Sequence, residues 1–112
     1  ALAEGLTVLK VKGVDLTAAL NCINASSGKS SMSENIMAQR VLNRKFEKTF
    51  ALDLLQKDIG IAVDLVEQAN LELSAMKLIQ HEFNLIEKSE ASQLDFSAAV
   101  QSLERKSSIQ LN

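Results

Sequence analysis

Not one of the 112 residues is proline, and only four are glycine. A chain without the strongest backbone breaker can sustain helices almost end to end. Period-two alternation is confined to "TVLKVKGV". Elsewhere apolar residues recur every three or four positions, which is helical spacing. The pattern predicts an all-α fold, a compact bundle of about six helices with short connections. A single domain over residues 1–112 is expected, since a chain this long buries roughly 65% of its unfolded surface. No disulfide or metal is then needed for folding.

Leu2, Leu6 and Leu9 define a first helix, with Gly13 as its terminator. Asp15 is placed to cap a second helix whose inner side is Leu16, Ala19, Leu20 and Ile23. That helix runs into the small-residue loop "NASSGKSS", where Gly28 is expected to take a left-handed conformation. Ser31 and Glu34 have capping-box spacing for a third helix ending near Leu42. After the connector "NRKFEKT", a long helix spans about 50–69 on a stripe of Leu52, Leu55, Ile59, Ala62 and Val66. "NLELS" breaks the period, and Met76, Ile79, Phe83 and Ile86 mark a fifth helix. Asp95 caps a last short helix carrying Phe96, Ala99, Val100 and Leu103. Residues 14–106 thus form the helical core, and residues 107–112 a frayed tail.

Composition removes several classes of function. The net charge is −2, so nothing draws the chain as a whole to nucleic acid or to an anionic membrane. There is no Trp or Tyr on which bases would stack. A helix-turn-helix reading is poor, because Arg40, Arg44, Lys45 and Lys48 are few and interspersed with Glu47. No apolar run approaches a membrane span. The single cysteine, Cys22, permits no internal disulfide and fits a reducing, cytoplasmic setting. On its apolar helix it reads as a buried, inert thiol. His81 has no companion ligand and reads as a surface or boundary residue, so no metal site is expected. There is no Gly-rich phosphate loop. The loop "NASSGKS" either presents hydroxyls and N–H groups to an anion or is an ordinary capped turn.

The long helix has a second apolar side. At 100° per residue, Phe50, Leu54, Ile61 and Leu65 lie opposite the main stripe, with Asp53, Gln56, Asp64 and Glu67 between them. Lys57 projects at the edge of this second side, flanked by Asp58. Two readings stay open. Lys57 lays its stem over apolar surface and keeps its ammonium in water, or the side covers a ligand to which Lys57 supplies charge.

Three segments, "ALNCINASSGKSSMSEN", "VLNRKFEKTFALDLLQKDIGIAVDL" and "LDFSAAVQSLER", resemble the C-terminal helical domain of the β-hydroxyacid dehydrogenases. This family contains 3-hydroxyisobutyrate dehydrogenase, tartronate semialdehyde reductase and L-threonate dehydrogenase. The likeness covers nearly the whole chain in the right order. It is most specific from Phe50 through Lys57 and Asp58, then in "INASSG", with "DFSA" as support. It implies the helical C-terminal fold of the 6-phosphogluconate dehydrogenase-like superfamily. It also implies an oxidoreductase that moves a hydride between NAD or NADP and a small 3-hydroxy or 2-hydroxy acid. Lys57 then matches a cofactor-binding lysine, Phe50 and Asp58 match cleft positions, and Ser27 and Gly28 match a loop of the same domain. Residues 1–13 match the later part of the family's interdomain helix.

The departures are informative. The family's Rossmann fingerprint G-x-G-x-x-G and its catalytic lysine in K-x-x-N both precede the stretch matched by "ALAEGL", and neither is present here. No catalytic residue is therefore assigned in this chain, since the family lysine falls upstream of Ala1. Family members often carry a proline near "NLELS", and this chain has none. "ALAEGLTVLK" begins as helix interior without an initiator Met, so a piece of a longer protein is expected. Its expected partners are an N-terminal Rossmann domain and further copies of itself, as a dimer or tetramer. No cofactor is expected to bind tightly to the chain alone, and no turnover is expected from it. The rival reading is a stand-alone helical interaction module without catalysis.

Overall fold

The computed structural model describes residues 1–112 and is helical throughout. In chain order it holds α1 (Leu2–Val11), α2 (Leu16–Asn24), a π-helix (Met32–Leu42), α3 (Leu52–Gln68), α4 (Ser74–Asn84), α5 (Lys88–Ala91), a 3-10 turn (Phe96–Ala99) and α6 (Val100–Ser107). The only β-type pairing is an isolated bridge between Ala51 and Asp95. The elements group into two compact units, residues 1–47 with 100–112, and residues 48–99.

In the first unit the ends of the helices follow from local chemistry. Gly13 sits at φ 77°, and the Val14 and Gly13 N–H groups donate to Leu9 O and Lys10 O. This paired 6→1 and 5→2 arrangement closes α1 at a residue without a Cβ. Asp15 Oδ1 accepts the Ala18 N–H at 2.7 Å and caps α2 as expected. The next cap is shifted by one residue from the predicted box. Ser30 and Ser33 exchange reciprocal bonds, Ser30 N–H to Ser33 Oγ at 2.8 Å and Ser33 N–H to Ser30 Oγ at 3.1 Å. Ser31 makes no side-chain cap, and Glu34 instead pairs with Lys29 at 2.8 Å. The shorter serine side chain reaches its own cap from Ser33, which leaves Glu34 free to turn toward a cation.

The core of this unit is Leu6, Leu16, Ala19, Leu20, Met37, Val41 and Leu111. Leu111 corrects the expectation of a frayed tail: it is wholly buried, and its N–H donates to Glu104 Oε1 at 2.8 Å. Glu104 also takes a two-pronged contact from Arg44, with Nη2 to Oε2 at 3.0 Å, while Arg44 Nη1 reaches Leu111 O at 3.2 Å. Arg44 adopts φ 61° and lies 4.8 Å from the centre of the Phe46 ring. A left-handed non-glycine residue is costly in isolation, and here the bonds to Glu104 and Leu111 hold it.

In the second unit α3 and α4 pack against each other across a short loop. Asn70 at φ 55° ends α3 in the same way that Gly13 ends α1, with Leu71 N–H donating to Val66 O and Asn70 N–H to Glu67 O. This is the physical content of the break at "NLELS". The core is Leu52, Ile86 and Ala91, with Leu55, Phe83, Leu94, Phe96 and Ala99 against it.

Candidate functional site

The long helix buries Leu52, Gln56, Val63 and Val66. Gln56 is the surprise on this face, because the helical wheel places it between the apolar sides. Its Nε2 donates to Phe83 O and Ile86 O, both at 2.8 Å, and so ties α3 to the chain at and just beyond the end of α4. Its Oε1 is buried without a partner.

The opposite side of α3 is open. Phe50 is 39% exposed, Leu54 43%, Ile61 51% and Leu65 61%. Lys57 and Asp58 are exposed beside them, and neither is engaged in any hydrogen bond or ion pair. The ammonium of Lys57 therefore does not turn inward onto a local carboxylate. Lys57 lines a cleft of about 400 Å³ together with Gln56, Gly60, Gln80, Asn84 and Lys88. Phe50 and Asp58 stand outside the lining of that cleft.

Phe50 is fixed by a buried carboxylate. Asp95 Oδ1 accepts the N–H groups of Thr49 at 2.8 Å and Phe50 at 3.2 Å, and the Thr49 hydroxyl at 3.1 Å. Asp95 Oδ2 accepts the Ser97 N–H at 3.0 Å and the Ser97 hydroxyl at 2.5 Å. Burial by itself raises the pKa of this carboxyl, but the Ser97 hydroxyl and the three N–H donors outweigh it. They hold the group well below the usual carboxylate range. Sequence reading found Asp95 only as a cap. The D-x-S spacing carries that local role, whereas nothing in the sequence marks its partners 45 and 46 residues upstream.

The other expected residues lie in the first unit. Ser27 and Gly28 are exposed in the turn after α2. Gly28 does not take the left-handed conformation expected of it, since Gly13 is the only glycine with positive φ. A Cβ on Gly28 would instead come within 3.1 Å of Ile23 Cγ2, so close approach is what favours glycine there. Cys22 is exposed rather than buried. It lies about 125° around α2 from the centre of the Leu16–Leu20–Ile23 stripe. His81 is exposed, and no cluster of His, Cys, Asp or Glu could hold a metal ion. A second cleft of about 370 Å³ is lined by Arg44, Glu104, Arg105 and Ser108, but Glu104 already neutralises the Arg44 guanidinium. No helix is long and apolar enough to cross a membrane.

Comparison with known proteins decides the family. Residues 1–103 match the family described as the NAD-binding region of NADP-dependent 3-hydroxyisobutyrate dehydrogenase. The chain belongs to this family. Within the hydroxyacid dehydrogenases it is 30% identical over 104 residues to 2-hydroxy-3-oxopropionate reductase of Escherichia coli, covering 93% of this chain and 35% of that protein. It is 26% identical over 107 residues to an uncharacterised oxidoreductase of Shewanella frigidimarina, covering 96% of this chain and 36% of the relative. It thus spans about a third of the length of the relatives it matches. The fold is that of a crystal structure of 3-hydroxyisobutyrate dehydrogenase from Salmonella typhimurium, at a TM-score of 0.77 and 23% identity over 88% of this chain and 34% of that one. The exposed face of α3 sets an unpaired ammonium among apolar and aromatic side chains, an arrangement that can meet apolar surface and an anion together.

Proposed function

We propose that the chain is the C-terminal helical part of an NAD(P)-dependent oxidoreductase acting on a small 3-hydroxy or 2-hydroxy acid. In this reading α3 turns its outer face to the cofactor. When bound, the dinucleotide supplies or takes up the hydride. Lys57 contributes a positive charge toward it, Phe50 an aromatic edge, and Asp58 an acceptor on the same outer face, beyond the cleft that Lys57 lines. Ser27 and Gly28, on the loop after α2, are carried over from the resemblance alone. The observation that carries the reading is Lys57, an ammonium without a partner on an open apolar face.

The test is titration of the isotope-labelled chain with NADP⁺ and NAD⁺, read by NMR. Amide shifts confined to Phe50–Ile61 are expected, and Lys57→Ala should abolish them. Shifts elsewhere, or none on α3, defeat the reading. The chain alone is expected to show no NAD(P)-linked oxidation of hydroxy acids, because no residue here is assigned the general acid or base.

Self-association is a second reading of the exposed apolar surface, and on α3 it competes with the cofactor for the same residues. Leu54, Ile61 and Leu65 are exposed side by side on the outer face of α3, and Leu78 and Ile79 are exposed on α4. Apolar surface of this kind is ordinarily covered. Self-association is expected in light scattering and should weaken in Ile61→Lys. A strictly monomeric chain at high concentration argues against it and favours a partner domain as the cover.

A further inference from the structure

Phe50 is held more firmly than an exposed side chain requires. Its N–H donates to Asp95 Oδ1, and its carbonyl accepts the Phe96 N–H at 2.9 Å. Its ring meets the Phe96 ring edge-on, with centroids 6.5 Å apart and planes at 63°. The next residues are tied to the same segment, since Leu52 N–H, the first amide of α3, donates to Leu94 O at 3.0 Å. The N-cap residue Ala51 makes no side-chain bond, so Leu94 O takes the Leu52 amide and Asp53 Oδ1 takes the Leu54 amide at 2.9 Å.

Capping the 3-10 turn accounts for only half of the Asp95 carboxylate. That task needs Oδ2 and the Ser97 N–H. The bonds from Thr49 and Phe50 to Oδ1 do nothing for the turn that follows Asp95. They draw a buried charge onto the two residues that lead into α3. Burying a carboxylate is costly unless its lone pairs are filled, and here five donor contacts fill them. The result is a fixed backbone under an aromatic ring that remains 39% exposed.

We infer that Asp95 is a positioning residue. It clamps Thr49 and Phe50 so that the Phe50 ring and the first turns of α3, with Lys57 two turns on, are presented in one orientation to the ligand of that face. The consequence for cofactor affinity rests on the reading proposed above, whereas the clamp on Phe50 does not. Preorganising the ring before binding removes an ordering cost that the ligand would otherwise meet.

The experiment compares the wild-type chain with Asp95→Asn, with Thr49→Val as the milder lesion should Asp95→Asn fail to fold. Ile86→Val serves as a control, since it disturbs the same core without touching the clamp. Two readouts are taken by NMR, ring-to-ring contacts between Phe50 and Phe96 in the free chain and the apparent Kd for NADP⁺. Asp95→Asn is expected to lose the ring contacts and to weaken NADP⁺ binding about tenfold, the equivalent of one charge-assisted hydrogen bond. Thr49→Val should do both to a smaller degree, and Ile86→Val should do neither. Unchanged ring contacts in both clamp variants overturn the inference. So does a loss of affinity no greater than that of Ile86→Val. If the wild-type chain shows no NADP⁺ shifts on α3 while the clamp variants still release Phe50, the cofactor reading fails and the positioning role stands.

Discussion

Glu104→Ala should release the C-terminal segment, and the structure sets how much that costs. Glu104 is buried, and its carboxylate receives Arg44 and the Leu111 N–H together. The ion pair is partly exposed on the arginine side, 30% against 9% for the glutamate. Solvent screening limits such a pair to about 0.2–1 kcal/mol. The larger loss is at Leu111. Its N–H either stays buried without an acceptor, at about 1–3 kcal/mol, or the segment peels away and gives up the burial of a leucine side chain, about 1.5–3 kcal/mol. The chain takes the cheaper course, so these two losses do not add. Together with the ion pair the expected destabilisation is roughly 1–4 kcal/mol. Urea unfolding followed by far-UV circular dichroism measures it, since the chain has no Trp or Tyr to report by fluorescence. The decisive arm is a double-mutant cycle with Leu111→Ala. If Glu104 acts by holding Leu111, the double variant loses about 1 kcal/mol or more less than the sum of the singles. Additive losses, or a Leu111 amide whose hydrogen exchange is unchanged in Glu104→Ala, refute the reasoning.

Gly13→Ala should cost about 1 kcal/mol through φ 77° alone, because nothing stands within 4 Å of its would-be Cβ. The cost of Gly28→Ala has a different origin, so pairing it with Ile23→Ala should relieve it, while no second-site change relieves Gly13→Ala; chemical denaturation of the four variants decides. The Asp95 carboxyl has a folded pKa below its unfolded value of about 3.9. Its contribution to stability is therefore fully present above that pH and falls away as the pH drops toward the folded pKa, where the unfolded chain binds more protons. Acid unfolding of Asp95→Asn should show a shallower fall below pH 4 than the wild-type chain, and parallel curves would contradict the assignment. Cys22 should react with an aromatic disulfide reagent in the native chain at a rate close to that in urea, and a thiol that reacts only on unfolding would place it in the core after all.

Helix content was legible because helical period and turn chemistry are local. Asp15 and Gly13 act through neighbours within five residues, and both do what their positions predict. The misreadings share a cause. Gln56 lies between the two apolar sides on a wheel but reaches carbonyls 27 and 30 residues away. Leu111 looks like the end of a polar tail but completes a core whose other members lie between residues 6 and 41. Cys22 looks buried because its helix is apolar overall, although the inward stripe passes it by. The cap before the π-helix was placed one residue off because serines at 30, 31 and 33 and Glu34 all offer capping spacing, and the Ser30–Ser33 pair takes the role while Glu34 pairs with Lys29. Of the candidate site, the two-sided character of α3 and the outward Lys57 were legible from angular position. The clamp that orders Phe50 was not, because its partners meet only once the chain has folded.

The charges divide into two sets, those buried with partners and those exposed to water, and the proposed reading of α3 draws on the second. Where a charge is withdrawn from water, the fold gives it partners: Glu104 has Arg44 and the Leu111 N–H, and Asp95 has Thr49, Phe50 and Ser97. Removing one partner from either leaves an uncompensated group, which is why both positions should be sensitive to mutation. Lys57 and Asp58 belong to the other set. Each is exposed and unpaired, so neither supports the fold, and replacement by a neutral residue should leave stability within about 0.5 kcal/mol. Apolar neighbours make the distinction sharper. A free ammonium in a polar surface is unremarked, but Lys57 stands among Leu54 and Ile61, where water is a poor permanent neighbour for the side chains around it. A surface that combines open hydrocarbon with an uncommitted charge gains on binding from both, provided the ligand carries an apolar ring and an anion together.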